Sequence, residues 1–427
     1  MIPFSPPRID DRTLQAVEEA LRSGWITTGP RTKEFEKRLA AYCGVPKVIA
    51  LNSWTNACEL VLRWFGVGPG DEVILPAYTY CATANIVMHV GAKPILVDIL
   101  DDFTMDPAAL RKAMTPNTKC ILPVDIGGLP CDMAAIMRVA EEARARFRAA
   151  NSEQRALGRP LVLSDAAHSF GARYQGKAIG SQADITGFSF HAVKNLTTAE
   201  GGALAFNLPE SFDVEALYKL FNTMSLHGQS KDALAKTQPG AWRYDVALPG
   251  WKCNMTDLQA AIGLVELERF DSETTPRRKE ICERYSLAFQ SDARFDLPLF
   301  KDDDRESCYH LYMLRITKAT EAQRDAIITA IARREVSVNV HFIPLPLLSF
   351  YKGQGYGMKD HPNTYRHYSR AGPPACCRLP SCPVDLDQTC RTGGRGVSPS
   401  GEVNARCCPA NTPPFSWGRG HRCIGGP

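Results

Sequence analysis

The sequence contains no long apolar run and no large excess of either charge. Its 427 residues carry 50 basic and 46 acidic side chains, a formal charge of +4. This balance argues against the strongly basic surface typical of proteins that bind nucleic acids or anionic membranes. No apolar stretch approaches the roughly 18 residues that a transmembrane helix needs, and the N-terminus lacks the features of a signal peptide. We therefore expect a cytoplasmic protein without nucleic-acid or membrane partners.

The cysteines show no metal-binding pattern. Eight of the 15 precede residue 371, without paired short spacings or neighbouring histidines, so no metal site is expected. We expect most of them to be buried as small apolar side chains. The other seven fall in residues 371–427, a segment rich in proline, glycine and arginine that contains no lysine.

This C-terminal segment has two interpretations. One is a genuine cysteine-rich appendage that binds metal or forms disulfides. The other, which we favour, is out-of-frame translation of a GC-rich gene or a truncation, because the cysteines match no known ligand spacing. The segment also lacks hydrophobic periodicity, and we expect residues 371–427 to be disordered.

Short apolar segments alternate with amphipathic helices through the first 190 or so residues. Helices are predicted over 9–23, 32–43, 58–65, 82–90 and 132–149, and strands over 48–51, 72–75, 94–97, 120–124, 161–163 and 185–188. Such alternation predicts an α/β fold around a mostly parallel, buried sheet. Residues 151–160 are polar and predict a surface loop.

The pattern changes near residue 270. One long helix is predicted over about 256–285, followed by an apolar segment over 311–316, a helix over 320–334 and a strand over 336–342. These elements predict a smaller α+β domain. We therefore divide the chain into a large domain (1–265), a small and incomplete C-terminal domain (266–370) and the tail (371–427).

Two polar residues follow apolar strands and suggest a specific chemistry. Lys194 lies between a strand and the glycine pair at 201–202, and Asp165 follows a strand 29 residues earlier. A loop lysine is usually only solvated, and a strand-end aspartate is often a helix cap. Ligand sites of open α/β sheets nevertheless lie at such strand ends. Pyridoxal phosphate requires a lysine for its Schiff base and an acidic partner for its ring nitrogen.

Nine short motifs then occur in an order and at spacings that one family shares. They occupy residues 23–30, 52–57, 68–74, 76–80, 127–133, 165–168, 189–202, 250–257 and 340–345. Through them the chain resembles the DegT/DnrJ/EryC1/StrS family of pyridoxal-phosphate sugar aminotransferases, from about Ser23 to about Arg370. The resemblance implies a type I aminotransferase-like fold, with a mostly parallel mixed sheet in the large domain and a smaller α+β C-terminal domain.

The resemblance also implies roles for individual residues. Lys194 would hold pyridoxal 5'-phosphate covalently, and Asp165 would pair with its ring nitrogen. The other cofactor contacts would come from Thr55, Asn56, Tyr80, His168, Ser189 and Asn254. Contacts to the substrate would come from Thr27, Thr28 and His341. Because Asn254 would reach the cofactor of the neighbouring subunit, a homodimer with shared active sites is implied.

Some positions depart from the commonest family pattern. Trp54 replaces a small residue before the phosphate-binding threonine, so its side chain must point away from the phosphate or narrow the site. Ala199 replaces a frequent glycine, which is a mild change if its φ is negative. Pro346 stands where many members have a second histidine after His341.

The implied activity is transfer of an amino group from glutamate, or glutamine, to a keto sugar carried on a nucleotide, for amino-sugar or surface-polysaccharide biosynthesis. A first alternative is a pyridoxal-phosphate sugar dehydratase, but the related dehydratases carry histidine in place of the lysine, so Lys194 argues against it. A second alternative is a catalytically impaired or regulatory relative whose small domain is damaged.

Overall fold

The computed structural model describes residues 3–230 and 243–371, and the backbone of residues 375 and 376. These residues belong to one compact unit, Met1–Val384. Most of the segment 371–427 lies outside the described residues. The expected disorder of that segment therefore stays a prediction. The predicted boundary between residues 265 and 266 stays a prediction.

The strands in chain order are β1 Lys47–Leu51, β2 Glu72–Pro76, β3 Lys93–Val97, β4 Thr118–Ile121, β5 Leu161–Asp165, β6 Arg173–Tyr174, β7 Lys177–Ala178, β8 Ile185–Ser189, β9 Gly202–Phe206, β10 Phe295–Asp296, β11 Arg305–Glu306, β12 Leu311–Tyr312, β13 Arg315–Ile316 and β14 Ala375–Cys376. Seven of them form one sheet in the order β1-β9-β8-β5-β4-β2-β3. Only β9 runs against the others, because both of its pairings are antiparallel. This mostly parallel mixed sheet confirms the predicted fold class.

The helices are α1 Asp11–Arg22, α2 Pro30–Cys43, α3 Trp54–Trp64, α4 Cys81–His89, α5 Pro107–Ala113, α6 Met133–Glu142, α7 Ser152–Leu157, α8 Val214–Ser225, α9 Asp257–Glu268, α10 Thr275–Phe289, α11 Glu321–Ala332, α12 Ser349–Gly353 and α13 Pro362–Arg370. Among the described residues, no helix combines the length and the apolar character that crossing a membrane requires.

Alternate residues of the sheet face two different apolar cores. Along β5, Val162 belongs to one core, whereas Leu161 and Leu163 belong to the other, which α3 and α4 cover. Because side chains alternate along a strand, Asp165 shares the face of Leu163. The aspartate is thereby directed toward the N-terminal ends of α3 and α4, where the candidate site lies.

Several predicted elements differ from the observed ones. The polar segment 151–160 contains α7, which Asn151 caps by accepting a hydrogen bond from Gln154 N and which ends at Gly158, with φ of 70°. The helix predicted over 132–149 ends at Glu142 and continues only as a short 3-10 turn. The predicted strand over 336–342 is not formed, and β9 was not anticipated.

The long helix predicted over 256–285 is two helices. A wide π-helical turn, Phe270–Thr274, separates α9 from α10. Pro276 lies in the first turn of α10, where its missing N–H costs nothing. In an uninterrupted helix the same proline would remove a hydrogen bond, so the break at this point is physically consistent with the sequence.

Candidate active site

A cavity of about 430 Å³ lies at the carboxyl ends of the central strands. Seven of the predicted site residues line it: Thr55, Tyr80, Asp165, His168, Ser189, Lys194 and His341. They come from segments more than 280 residues apart in the sequence, and the parallel sheet brings them to one edge. The structure thus assembles most of the predicted site in one place.

Asp165 is buried at the end of β5 and held by two hydrogen bonds. Its Oδ2 accepts from Thr83 Oγ1 at 2.9 Å, and its Oδ1 accepts from Ala167 N at 3.2 Å. Burial raises the pKa of the carboxyl to about 7, against the lowering effect of these bonds and of the Lys194 charge. A carboxylate oxygen can accept more than one hydrogen bond, so Asp165 retains acceptor capacity toward the cavity.

Lys194 shares the cavity with Asp165. Burial lowers the pKa of its ammonium group to about 8, and the charge of Asp165 opposes this shift. A lysine with a lowered pKa carries a larger fraction of neutral amine near neutral pH, which is the form that attacks a carbonyl carbon. The two residues therefore combine a nucleophilic amine with a buried acid.

The N-terminus of α3 forms a second part of the cavity wall. Ser53 caps this helix by accepting a hydrogen bond from Asn56 N at 3.1 Å. Gly202 lies directly against the helix end, since a Cβ at that position would be 2.4 Å from Trp54 N. Gly202 pairs in register with Ser189, so the Ser189 hydroxyl is one strand away. Unpaired N–H groups of a first helical turn and a nearby hydroxyl suit a phosphate.

Aromatic and imidazole rings form the remaining walls. The Tyr80 ring is 57% exposed and lies 5.3 Å from the Phe342 ring. His168 is buried, and its Nδ1 accepts a hydrogen bond from Gly127 N at 3.3 Å. The His341 ring stacks on Phe4 at 5.2 Å, and burial lowers its pKa to about 4. Near neutral pH the latter imidazole is therefore uncharged.

Four predicted residues do not line the cavity of their own chain. Asn56 turns its amide to Asn52 Oδ1, at 2.8 Å. Asn254 is buried; its amide donates to Thr28 Oγ1 at 2.6 Å and accepts from Lys252 Nζ. Thr28 in turn donates to Met255 O at 2.5 Å, and its neighbour Thr27 is exposed. Their predicted roles toward cofactor and substrate stay predictions.

Two of the three departures from the family pattern, Trp54 and Ala199, have clear local consequences. The Trp54 side chain is buried and packs against β8, since a Cβ on Gly187 would lie 2.9 Å from its Nε1. Its indole N–H has no hydrogen-bond partner within the described residues, and the residue lines the cavity. Ala199 has φ of 69°, in the region that favours glycine. Alanine in place of glycine would be a mild change only at negative φ, and this is not the case here.

Sequence reasoning missed Thr83 and His310. Thr83 lies one helical turn after Tyr80 and holds Asp165. A hydroxyl residue three positions after Tyr80 could therefore have been recognised in the sequence as part of the site. His310 lines the cavity but follows no strand of the large sheet, and no signal in the sequence marked it. No set of three or more His, Cys, Asp or Glu in the described part of the chain is placed to hold a metal ion.

A model of the DegT/DnrJ/EryC1/StrS aminotransferase family matches residues 7–383. The chain belongs to this family. The match begins earlier and ends later than the resemblance over about 23–370, and it includes the start of the cysteine-rich segment. There the backbone of Ala375–Cys376 pairs with Leu311–Tyr312.

Individual relatives agree with this assignment. The spore coat polysaccharide biosynthesis protein SpsC of Bacillus subtilis is 41% identical over 374 residues, covering 86% of this chain and 90% of that protein. The putative sugar aminotransferase Spr1654 of Streptococcus pneumoniae is 45% identical in its PMP form, with a TM-score of 0.87 over 92% of this chain and 98% of that chain. Its PLP form is 43% identical, with a TM-score of 0.87, and covers 92% of this chain and 97% of that chain. The predicted family, fold class, aminotransferase activity and pyridoxal-phosphate cofactor are confirmed.

Proposed function

We propose that this aminotransferase moves an amino group from glutamate, with glutamine as the alternative donor, to a keto sugar carried on a nucleotide. The proposal rests on one observation: Lys194 and Asp165 line the same cavity, beside the N-terminus of α3. The names of the two relatives, a polysaccharide biosynthesis protein in Bacillus and a putative sugar aminotransferase in Streptococcus, support a sugar acceptor. We further propose that the product enters amino-sugar or surface-polysaccharide biosynthesis in the cytoplasm.

The cavity residues fit pyridoxal phosphate. The N–H groups of Trp54 and Thr55 in the first turn of α3, which donate no hydrogen bond among the described residues, would hold the phosphate together with Ser189. Asp165 would hold a proton on the ring nitrogen, and a cationic partner there would return its pKa toward the usual range. When bound, the cofactor supplies an electron-accepting ring for amino-group transfer.

Lys194 has two tasks in this proposal. Its Nζ would hold the cofactor covalently between turnovers, for which the neutral amine is needed. When free, the same Nζ would lie beside the reacting carbon and would carry a proton to and from it. The lowered pKa of Lys194 suits both tasks because the amine can gain and lose a proton near neutral pH.

Replacing Lys194 tests the covalent role. Wild-type protein treated with borohydride should retain the cofactor on the tryptic peptide that contains Lys194, as seen by mass spectrometry. Lys194→Ala should lose both this adduct and turnover, whereas Lys37→Ala, on the exposed side of α2, should keep both. Retention of a borohydride-fixed cofactor in Lys194→Ala would contradict the assignment.

A substrate screen tests the acceptor and the donor. Keto-sugar nucleotides are supplied with glutamate, and release of 2-oxoglutarate is measured; parallel reactions contain glutamine. We expect turnover with at least one nucleotide-linked keto sugar and little with the free sugar. Equal turnover of simple keto acids in place of keto sugars would contradict the proposed acceptor class.

We also propose that the active protein is a homodimer with shared sites. Thr28 and Asn254 contact each other, and the cavity of their own chain contains neither. Close by in the sequence, Leu14, Leu21 and Ile26 expose more than half of their surface. Exposed apolar side chains near in sequence to a polar pair that lies outside the cavity of its own chain favour a second copy as the partner.

A further inference from the structure

His310 is a buried cavity residue outside the predicted set. Its side chain is 3% exposed, and its ring centroid lies 4.5 Å from that of His168. Its Nδ1 lies 2.7 Å from Oδ1 of Asn195, the residue that follows Lys194. No hydrogen bond within the described residues involves the other ring nitrogen, Nε2. His310 therefore presents one nitrogen to the protein and has the other available in the cavity.

The hydrogen bonds of Asn195 determine which nitrogen of His310 carries the proton. Asn195 Nδ2 donates to the carbonyl oxygen of Cys308 at 2.9 Å. A carbonyl oxygen can only accept, so the amide cannot be flipped and its Oδ1 must face His310. That oxygen also accepts only, and hence His310 Nδ1 carries the hydrogen. In the neutral ring Nε2 then holds a lone pair.

The surroundings keep the His310 ring neutral. Burial lowers its pKa well below the usual range, and the charges of Lys194 and Arg278 add to this effect. Arg278 is itself buried and fixes the segment from behind, with Nη1 donating to the carbonyl oxygens of Tyr309 at 3.0 Å and His310 at 3.2 Å. His168 has the opposite arrangement, because its Nδ1 accepts from Gly127 N and its Nε2 must carry the hydrogen of the neutral ring.

A lone pair in a cavity selects for hydrogen-bond donors. The carboxylates of glutamate offer only acceptor oxygens, and its amino group is the group that is transferred, whereas a sugar hydroxyl is free to donate a hydrogen bond to His310 Nε2. We propose that His310 is a specificity-determining residue that accepts a hydrogen bond from a hydroxyl group of the sugar substrate. This inference rests on the proposed function and narrows it: the acceptor sugar carries a free hydroxyl group that can reach His310 in the cavity.

Measuring the two half-reactions separately distinguishes recognition of the sugar from a role that both substrates need. His310→Phe keeps a flat aromatic ring, slightly larger than imidazole, and removes the lone pair of Nε2 together with the hydrogen bond from Nδ1 to Asn195 Oδ1. Single-turnover conversion by glutamate should stay within about twofold of wild type, whereas kcat/KM for the best keto-sugar nucleotide of the screen should fall about 10- to 100-fold. Tyr309→Phe changes the same segment away from the cavity and should alter neither half-reaction. Equal losses in both half-reactions of His310→Phe would overturn the proposal.

Deoxy analogues of the same sugar nucleotide identify the hydroxyl. Wild type should discriminate strongly against the analogue that lacks the recognised hydroxyl, because the site is then left with an unpaired group. His310→Phe should turn over that analogue and the parent sugar at similar rates. If wild type accepts every deoxy analogue as well as the parent, no hydroxyl is recognised and the proposal fails.

A spectroscopic measurement is independent of the substrate. In holoenzyme labelled with ¹⁵N-histidine at pH 7, the signal that His310→Phe removes should be that of a histidine with a protonated Nδ1 and an unprotonated Nε2. A protonated Nε2 on His310 would overturn the inference even if the enzyme uses keto sugars. Conversely, the expected tautomer without keto-sugar turnover would leave the His310 geometry intact and refute the proposed function.

Discussion

At the residue scale, burial shifts the two central ionisable groups in opposite directions. It raises the pKa of Asp165 to about 7 and lowers that of Lys194 to about 8. Burial disfavours the charged form of each group, and the opposite charge of the other group partly offsets that effect. Such opposed shifts in one cavity are typical of acid–base sites, and they make the stability of the cofactor-free protein depend on pH.

Asp165→Asn should reveal this dependence. The folded-state pKa of Asp165 is raised, so its stabilising contribution is fully present below its ordinary pKa of 3.8 and is lost as the pH rises through about 7. Urea unfolding of cofactor-free protein should therefore show the wild type losing a few kcal/mol relative to Asp165→Asn between about pH 4 and 7. Exposed Asp303→Asn should track the wild type. Parallel curves for wild type and Asp165→Asn would contradict the raised pKa of this carboxyl.

At the element scale, one side chain connects distant parts of the chain. Asp257, at the start of α9, is fully buried and caps the N-terminus of α2. Its Oδ1 accepts from Gly29 N at 2.8 Å and Thr32 N at 2.9 Å, and its Oδ2 accepts from Arg31 N at 3.0 Å. The backbone of the same residue holds the loop that contains Thr27 and Thr28, since Asp257 N donates to Thr27 O at 3.0 Å.

Removing this carboxylate should destabilise the protein strongly. Asp257→Ala leaves several buried N–H groups without an acceptor, and we expect a loss of roughly 2–4 kcal/mol in urea unfolding. The matched control is Asp106→Ala, which removes the cap of α5, an exposed single hydrogen bond to Ala108 N. That change should cost about 1 kcal/mol. Similar losses for the two variants would show that the cap of α2 has no special importance.

The elements also show which features the sequence reveals. Apolar strands with regular helices between them were predictable because hydrophobic periodicity is local. Strand β9 was not, since glycine and alanine make up three of its five residues and its strand character comes from burial between β1 and β8. The segment 336–342 has an apolar pattern but lines the cavity through Asn339, His341 and Phe342.

The site was predictable to a similar extent and for a related reason. Asp165 and Ser189 end strands and Lys194 follows one, so the topology of a parallel sheet determines where they meet. His310 and Thr83 depend on contacts between segments far apart in sequence, which periodicity does not encode. The resemblance to a family supplied motifs but not the hydrogen bonds around Asn195, and these decide the protonation of His310.

At the scale of the whole molecule, the proposed dimer makes a distinctive prediction. If Asn254 of one subunit serves the site of the other, a chain with Lys194→Ala still offers an intact Asn254 to its partner. A chain with Asn254→Ala still offers an intact Lys194. Neither homodimer should be active, but a heterodimer of the two should contain one complete site.

Mixing the two variants after reversible dissociation therefore should restore activity. With random exchange half of the dimers are mixed and each has one working site of two, so the recovery should approach about a quarter of the wild-type rate. Sedimentation and circular dichroism must first show that Asn254→Ala is a folded dimer, because its amide also holds Thr28. A folded Asn254→Ala that gains nothing from the Lys194→Ala chain would show that each site is built from one subunit. Recovery of about a quarter of the wild-type rate would instead show that the dimer is the functional unit. It would also explain why Thr28 and Asn254 lie together outside the cavity of their own chain.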